Sequence, residues 1–267
     1  MSISGQKISW KDEYRGAASR VRTHGRSAAS TPEVRAYLRA RCRAHHQRGT
    51  PRTQLSEYVE GLATTGFSPT RLAELAALPE PEPQDWEVGE SLAEVLLADL
   101  EGAVFHWSTQ WDRRSATAIL TGPDIVGFQR TDTGVRFLFG EVKTSSDKSV
   151  PPQVVYGDDG LRNQLVELLT KAERRAYLMQ WLQTRARGTN YEADYRAALL
   201  AYLSPQSTAM IVGVLLRECA ADSKDLSYVE DRVRKCPGSF DVLLLAFYLP
   251  IPITTWPDVM LGKDGPP

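Results

Sequence analysis

The residues best suited to chemistry in this chain are a small set of acids and one lysine. Pro123-Asp124 precedes an apolar run, and after sixteen intervening residues Glu141-Val142-Lys143 closes another. Side chains alternate faces along a strand, so Glu141 and Lys143 point one way and Val142 the other. A hairpin joining the two runs would set Asp124 beside Glu141. Two carboxylates that close repel unless a proton or a cation lies between them. Hard oxygen ligands with open positions suit Mg²⁺ or Mn²⁺, which keep waters and accept phosphate oxygens. Such an ion activates water and stabilises charge on a phosphodiester. A lysine alongside can orient that water and place compact positive charge near the phosphate. Glu90 and Glu94 lie upstream, four residues apart and so on one helical face.

The elements that must position these groups are legible in the pattern. Val88, Leu92, Val95, Leu96 and Leu100 predict an amphipathic helix over Trp86–Leu100, stopped at Gly102. Short strands are expected over Ala103–Trp107, Ala116–Leu120 and Ile125–Phe128. Thr131-Asp132-Thr133-Gly134 has hairpin-turn composition. Val135–Val142 is apolar on both faces, as a central strand would be. A long helix is predicted over Leu161–Arg187 and another over Tyr191–Leu203. Two buried strands, Ala209–Leu216 and Phe240–Leu249, flank a helix over 224–235. Helices between the late strands imply crossovers and a mixed sheet, hence an α/β fold.

In this setting the residues resemble the PD-(D/E)XK signature of restriction-endonuclease-like nucleases. The resemblance spans about Trp86 to Leu249 in element order and rests on few residues. It implies a mixed central sheet flanked by helices, and a metal-dependent phosphodiesterase. Asp124, Glu141 and the Val142 carbonyl would be metal ligands, and Lys143 would position water. It also implies a supporting acid on the first core helix. Glu90 is preferred to Glu94, which packs nearer the apolar middle of that helix. RecB-like subgroups add a glutamine on the helix after the lysine strand, where Gln164 stands. A small nuclease with no motor of its own resembles effector subunits of bacterial anti-phage systems, Hachiman-type subunits among them. A helicase or sensor protein is then the expected partner. No GxxxxGK[S/T] loop occurs in the sequence. Two rival readings remain: a catalytically inactive nuclease-fold binding or assembly subunit, and an RNA-directed nuclease.

Charge is unevenly distributed. Across 267 residues the net formal charge is -1, which taken alone argues against a strongly basic nucleic-acid binder. Residues 1–52 nevertheless hold 12 Lys/Arg against 3 Asp/Glu. Residues 72–112 contain ten acids and no Lys or Arg. A basic arm beside an acidic body can mark a nucleic-acid contact or a solvated helical face. Arg39 and Arg43 on that arm, Arg113 and Arg114 near the acids, and Thr144 and Ser145 after the lysine are candidate phosphate contacts. His45-His46 read as helix-surface residues without a nearby acid, and His106 as a hydrogen-bonded core histidine.

The length suffices for a large domain with a small companion. The expected division is a basic helical region over 1–80 and a nuclease-like core over 81–267. Residues 1–30 read as loosely ordered. Helices follow from Thr31 as N-cap, over Thr53–Leu62 and over Ser68–Leu78, and LPEPEPQDW (78–86) reads as the boundary. Cys42, Cys219 and Cys236 give neither a disulfide framework nor a zinc pattern. The opening MSISGQKISWKDEYRG has no apolar signal segment, and Val242–Leu249 is too short to span a bilayer. A soluble, cytoplasmic protein without membrane contact is expected.

Overall fold

The structure is a computed structural model that describes residues 7–48, 51–62, 69–76, 82–107, 122–206 and 208–265. Its strands are β1 (Trp10–Ala18), β2 (Val21–Ala28), β3 (Ala103–Val104), β4 (Ile125–Thr131), β5 (Gly134–Ser145), β6 (Ala209–Arg217) and β7 (Asp241–Tyr248). They form a single seven-stranded mixed sheet in the order β1-β2-β7-β6-β5-β4-β3. Strands β5, β6, β7 and β2 run parallel to one another, while β1, β4 and β3 are antiparallel to their neighbours. Every residue of β6 is buried, as the apolar run Ala209–Leu216 requires of a strand covered on both faces; only Arg217, its last residue, is charged.

Helices cover both faces. The helices are α1 (Thr31–Tyr37), α2 (Arg43–His46), α3 (Pro51–Leu62), α4 (Pro69–Ala76), α5 (Asp85–Glu101), α6 (Gln153–Tyr156), α7 (Leu161–Thr170), α8 (Ala172–Ala186), α9 (Glu192–Leu203), α10 (Ser227–Arg234) and α11 (Trp256–Leu261). A π-helical turn over Leu38–Cys42 joins α1 to α2. On one face Val88, Leu92 and Leu96 of α5 pack with Leu138, Val142, Val212 and Leu245. On the other, Leu161, Leu165 and Leu168 of α7 pack with Phe137, Phe139, Ile211 and Leu244. The sheet is thus the middle of three layers, an α/β arrangement as expected. Among the described residues no helix is long and apolar enough to cross a membrane.

Helix α5 keeps its predicted extent. Gln84 and Glu87 form a capping box at its start, and Gly102 in the left-handed conformation ends it. The β4–β5 hairpin turns through Asp132-Thr133, between the paired residues Thr131 and Gly134. Gly140 allows β5 to lie against β6, because a Cβ there would run into the Val212 carbonyl oxygen. Gly140→Ala is expected to destabilise the fold by about 1–3 kcal/mol in urea denaturation, since the obstruction is backbone. A change below about 0.5 kcal/mol would show that the two strands can part freely.

Several expectations need correction. Residues 10–28 are not loose: they form the β1–β2 hairpin, docked parallel to β7. The segment before residue 80 therefore shares its sheet with the rest of the chain and is not purely helical. Ser30, one residue earlier than expected, caps α1 by accepting from the Glu33 N–H. The strand expected over Ala103–Trp107 is only Ala103–Val104, and that over Ala116–Leu120 lies outside the described residues. The long helix breaks at Lys171, whose backbone is extended. Buried Arg175 donates to the Leu168 and Leu169 carbonyls at that break, so the end of α7 is satisfied by a side chain from α8.

The basic arm meets the acidic body. Arg41 pairs with Asp99, Arg35 and Arg39 with Asp264, and Arg26 reaches Glu101 at 3.9 Å. Four of the arm's arginines are therefore engaged by three carboxylates of the body.

Candidate metal centre

The β4–β5 register pairs Ile125 with Gly140, which puts Asp124 opposite Glu141 at the end of the sheet's hairpin. Asp124 Oδ2 accepts the Val142 N–H at 2.9 Å. Glu141 is buried, and its Oε1 accepts from Lys143 Nζ at 2.7 Å. Val142 turns the other way into the core beneath α5. The alternation read from the sequence thus holds: an acid and an amine share one face and bond to each other.

The electrostatics are those of a crowded anionic pair. Burial, and next the charge of Glu141, raise the Asp124 carboxyl from 3.8 to about 7. The Val142 N–H and the Lys143 ammonium oppose that rise without cancelling it. Glu141 Oε2 is buried and receives no N–H donor among the described residues; the Asp124 carboxyl, when protonated, is the group placed to share a proton with Glu141. A buried carboxylate oxygen without a donor is costly and calls for a cation or a proton. The donor set, two carboxylate groups with a nearby backbone carbonyl, fits a hard divalent ion that retains several waters.

Other predicted site residues do not join this pair. Among the described residues, no three Asp, Glu, His or Cys side chains gather closely enough to hold a metal, so Glu90 does not complete a three-acid group. Glu90 is half-buried on α5, and α5 covers the face of β5 opposite to Glu141 and Lys143. Neighbouring Gly89 abuts the Thr144 hydroxyl, so Thr144 packs under the helix and is not turned toward a phosphate. Ser145 is buried, and its hydroxyl accepts the Asp147 N–H at 3.1 Å. Gln164 accepts from Arg174 at 2.8 Å on the helical layer. Arg39 is bound to Asp264 and the Gly265 carbonyl, and Arg43 is half-buried on α2. Arg113 and Arg114 lie outside the described residues.

Sequence reasoning missed one acid. His45 Nε2 lies 2.5 Å from buried Glu94 Oε2, and His46 Nδ1 lies 3.0 Å from Ser91 Oγ. A signal was present: Leu38, Cys42 and His45 continue one helical stripe at spacings of four and three, which aims His45 at a partner helix. His106 is hydrogen-bonded as expected, its Nε2 meeting Asp194 at 3.2 Å and its ring stacked on Tyr191, but it is half-buried and lies beyond the end of β3 and not in the core.

No protein-family model matches the chain, and no curated protein matches it in sequence.

Proposed function

We propose that this protein is a Mg²⁺- or Mn²⁺-dependent nuclease with a restriction-endonuclease-like core, hydrolysing phosphodiester bonds of DNA. The observation that carries this reading is the buried Oε2 of Glu141, without an N–H donor among the described residues, in a carboxylate pair with Asp124, with Lys143 on Oε1. The element order supports it: helix α5, antiparallel β3–β4–β5, then helices leading to the parallel strand β6.

Asp124, Glu141 and the Val142 carbonyl would hold the ion, with water and phosphate oxygens in its remaining positions. When bound, the ion activates water and stabilises charge on the phosphate. The Val142 N–H fixes the Asp124 carboxylate, and Glu141 fixes the lysine amine at the mouth of the pair. Lys143 would orient the attacking water and stabilise the phosphate's negative charge. The role of effector subunit in a bacterial anti-phage system, beside a helicase or sensor protein, follows the family resemblance alone.

The test is cleavage of supercoiled plasmid and of single-stranded RNA with Mg²⁺ or Mn²⁺. Glu141→Gln and Lys143→Met are each expected to lower the initial rate by about 100-fold or more, with the melting temperature retained. Cleavage at the original rate by either folded variant would sink the assignment. Cleavage of RNA alone would move the substrate class. No Mg²⁺ or Mn²⁺ binding by calorimetry, with neither polymer cleaved, would favour the binding or assembly subunit.

A further inference from the structure

A cavity of about 580 Å³ opens where the β3 edge of the sheet meets α2 and α5. That volume lies within the range of small-molecule sites. Its polar lining is Arg41, His45, Arg48, His106, Arg130 and Tyr191, and among the described residues no carboxylate lines it. The acids stand behind these groups. Asp99 takes Arg41, Glu94 takes His45, and Asp194 takes both His106 and Arg130. Arg41 and Arg130 each commit one amino group to a carboxylate and keep further donors.

Arg48 is exposed, with no ion-pair partner among the described residues. Burial lowers the His106 pKa; Asp194 opposes this, while the charges of Arg130 and Arg48 add to it. Three guanidinium groups therefore line one opening, Arg48 without an ion pair among the described residues and Arg41 and Arg130 with donors left over from theirs. The rest of the wall is apolar or aromatic: Val95 and Ala98 of α5, and the Tyr191 ring, stacked on His106 at 3.5 Å and 19°. Arg130 is six residues along β4 from Asp124, roughly 20 Å away at strand rise. The cavity is thus separate from the carboxylate pair, and a ligand held in it requires no nuclease activity of the protein.

We propose that this cavity binds a nucleotide, its phosphate held by Arg48, Arg130 and Arg41 and its base laid on the apolar and aromatic wall. Guanidinium groups are suited to phosphate, and aromatic faces to any base. A free mononucleotide and a 5′-phosphorylated strand end share this chemistry.

The full chain is titrated in EDTA with AMP, adenosine, inorganic phosphate, and a short oligodeoxynucleotide bearing either a 5′-phosphate or a 5′-hydroxyl. AMP is expected to bind at least about tenfold more tightly than adenosine or inorganic phosphate. Arg48→Glu and Arg130→Glu, both at exposed positions, are each expected to weaken AMP by roughly tenfold or more. In the unaltered chain, AMP is expected to shift the ring-proton resonances of His45 and His106, a readout that needs no variant. A 5′-phosphate oligonucleotide that outcompetes AMP, when its hydroxyl form does not, supports the site as one for a strand end. The reverse ranking supports the site as one for a free nucleotide. Inorganic phosphate binding as tightly as AMP overturns the nucleotide assignment. Unchanged AMP affinity in both folded variants, unmoved histidine resonances, or no saturable binding of AMP or phosphorylated strand at millimolar concentration overturns the site.

Discussion

Asp225→Ala is expected to lower the unfolding free energy by about 3–5 kcal/mol. Arg217 ends β6 with its side chain fully buried, and it pairs there with equally buried Asp225. The same guanidinium donates to the carbonyls of Asp147 and Ser149, in the loop that leaves β5. Asp225 also accepts from the Tyr248 hydroxyl at 2.9 Å, and Tyr248 meets Tyr14 of β1 at 3.0 Å. Removing the carboxylate strands a buried cation, while the Tyr248 hydroxyl keeps the Asp222 carbonyl and Tyr14 as partners, so the loss comes chiefly from the uncompensated Arg217. One guanidinium nitrogen, Nε, already lacks a partner, so there is no spare acceptor to take over. Urea denaturation checks this, and a loss below about 1 kcal/mol would mean that water reaches Arg217. Asp225→Asn, which keeps the shape and the Tyr248 acceptor, should lose less than the alanine variant.

The second large effect is a pH dependence contributed by Asp124. Its carboxyl titrates at about 7 in the folded protein, raised from 3.8 by burial and by Glu141. A carboxyl raised on folding favours the folded state fully below the unfolded value, and that contribution is lost as pH climbs through the folded one. Between those two values the folded chain must surrender a proton it holds well. At about 1.4 kcal/mol per pH unit, this amounts to roughly 4 kcal/mol. Asp124→Asn keeps an oxygen to accept the Val142 N–H but has nothing to ionise. In EDTA, the variant's stability relative to the parent should therefore be flat below about pH 4, then rise to a plateau near pH 8. Millimolar Mg²⁺ at pH 8 should recover most of the deficit for the parent and none for the variant. A gap that stays constant between pH 4 and pH 8 would refute the close carboxylate pair.

Much of the centre was legible because its determinants are local. The hairpin Thr131–Gly134, the apolar run into Glu141 and the alternation through Lys143 depend on neighbours within a few residues. The Gly102 stop and the stripe of α5 are of the same kind. What escaped depended on partners far along the chain. The break at Lys171 has no proline or glycine, and Arg175 stabilises it from the next helix. Glu94 meets His45 only once α2 has crossed α5. Glu90 and Gln164 match the family pattern by position, yet the first lies on the helix covering the opposite face and the second is held by Arg174. Strands β1 and β2 were hidden by their own composition. The inward positions of β2 include Val21, Thr23, Gly25 and Ala28, small residues that leave no apolar rhythm.

That hairpin also sets a timetable for synthesis. Val21 pairs with Val242, and Ser27 with Tyr248, so the earliest strands dock on one of the latest. A lone two-stranded ribbon is marginal in water. At ribosomal speed the hairpin waits on the order of 10–40 s for its parallel neighbour to emerge. During that interval its unpaired edge is a hazard, and charged residues on edge strands are the usual protection. Lys11, Asp12, Glu13, Arg15, Arg22 and Arg26 supply them. The polarity that conceals these strands from a pattern search would then be what keeps the nascent chain from aggregating before β7 arrives.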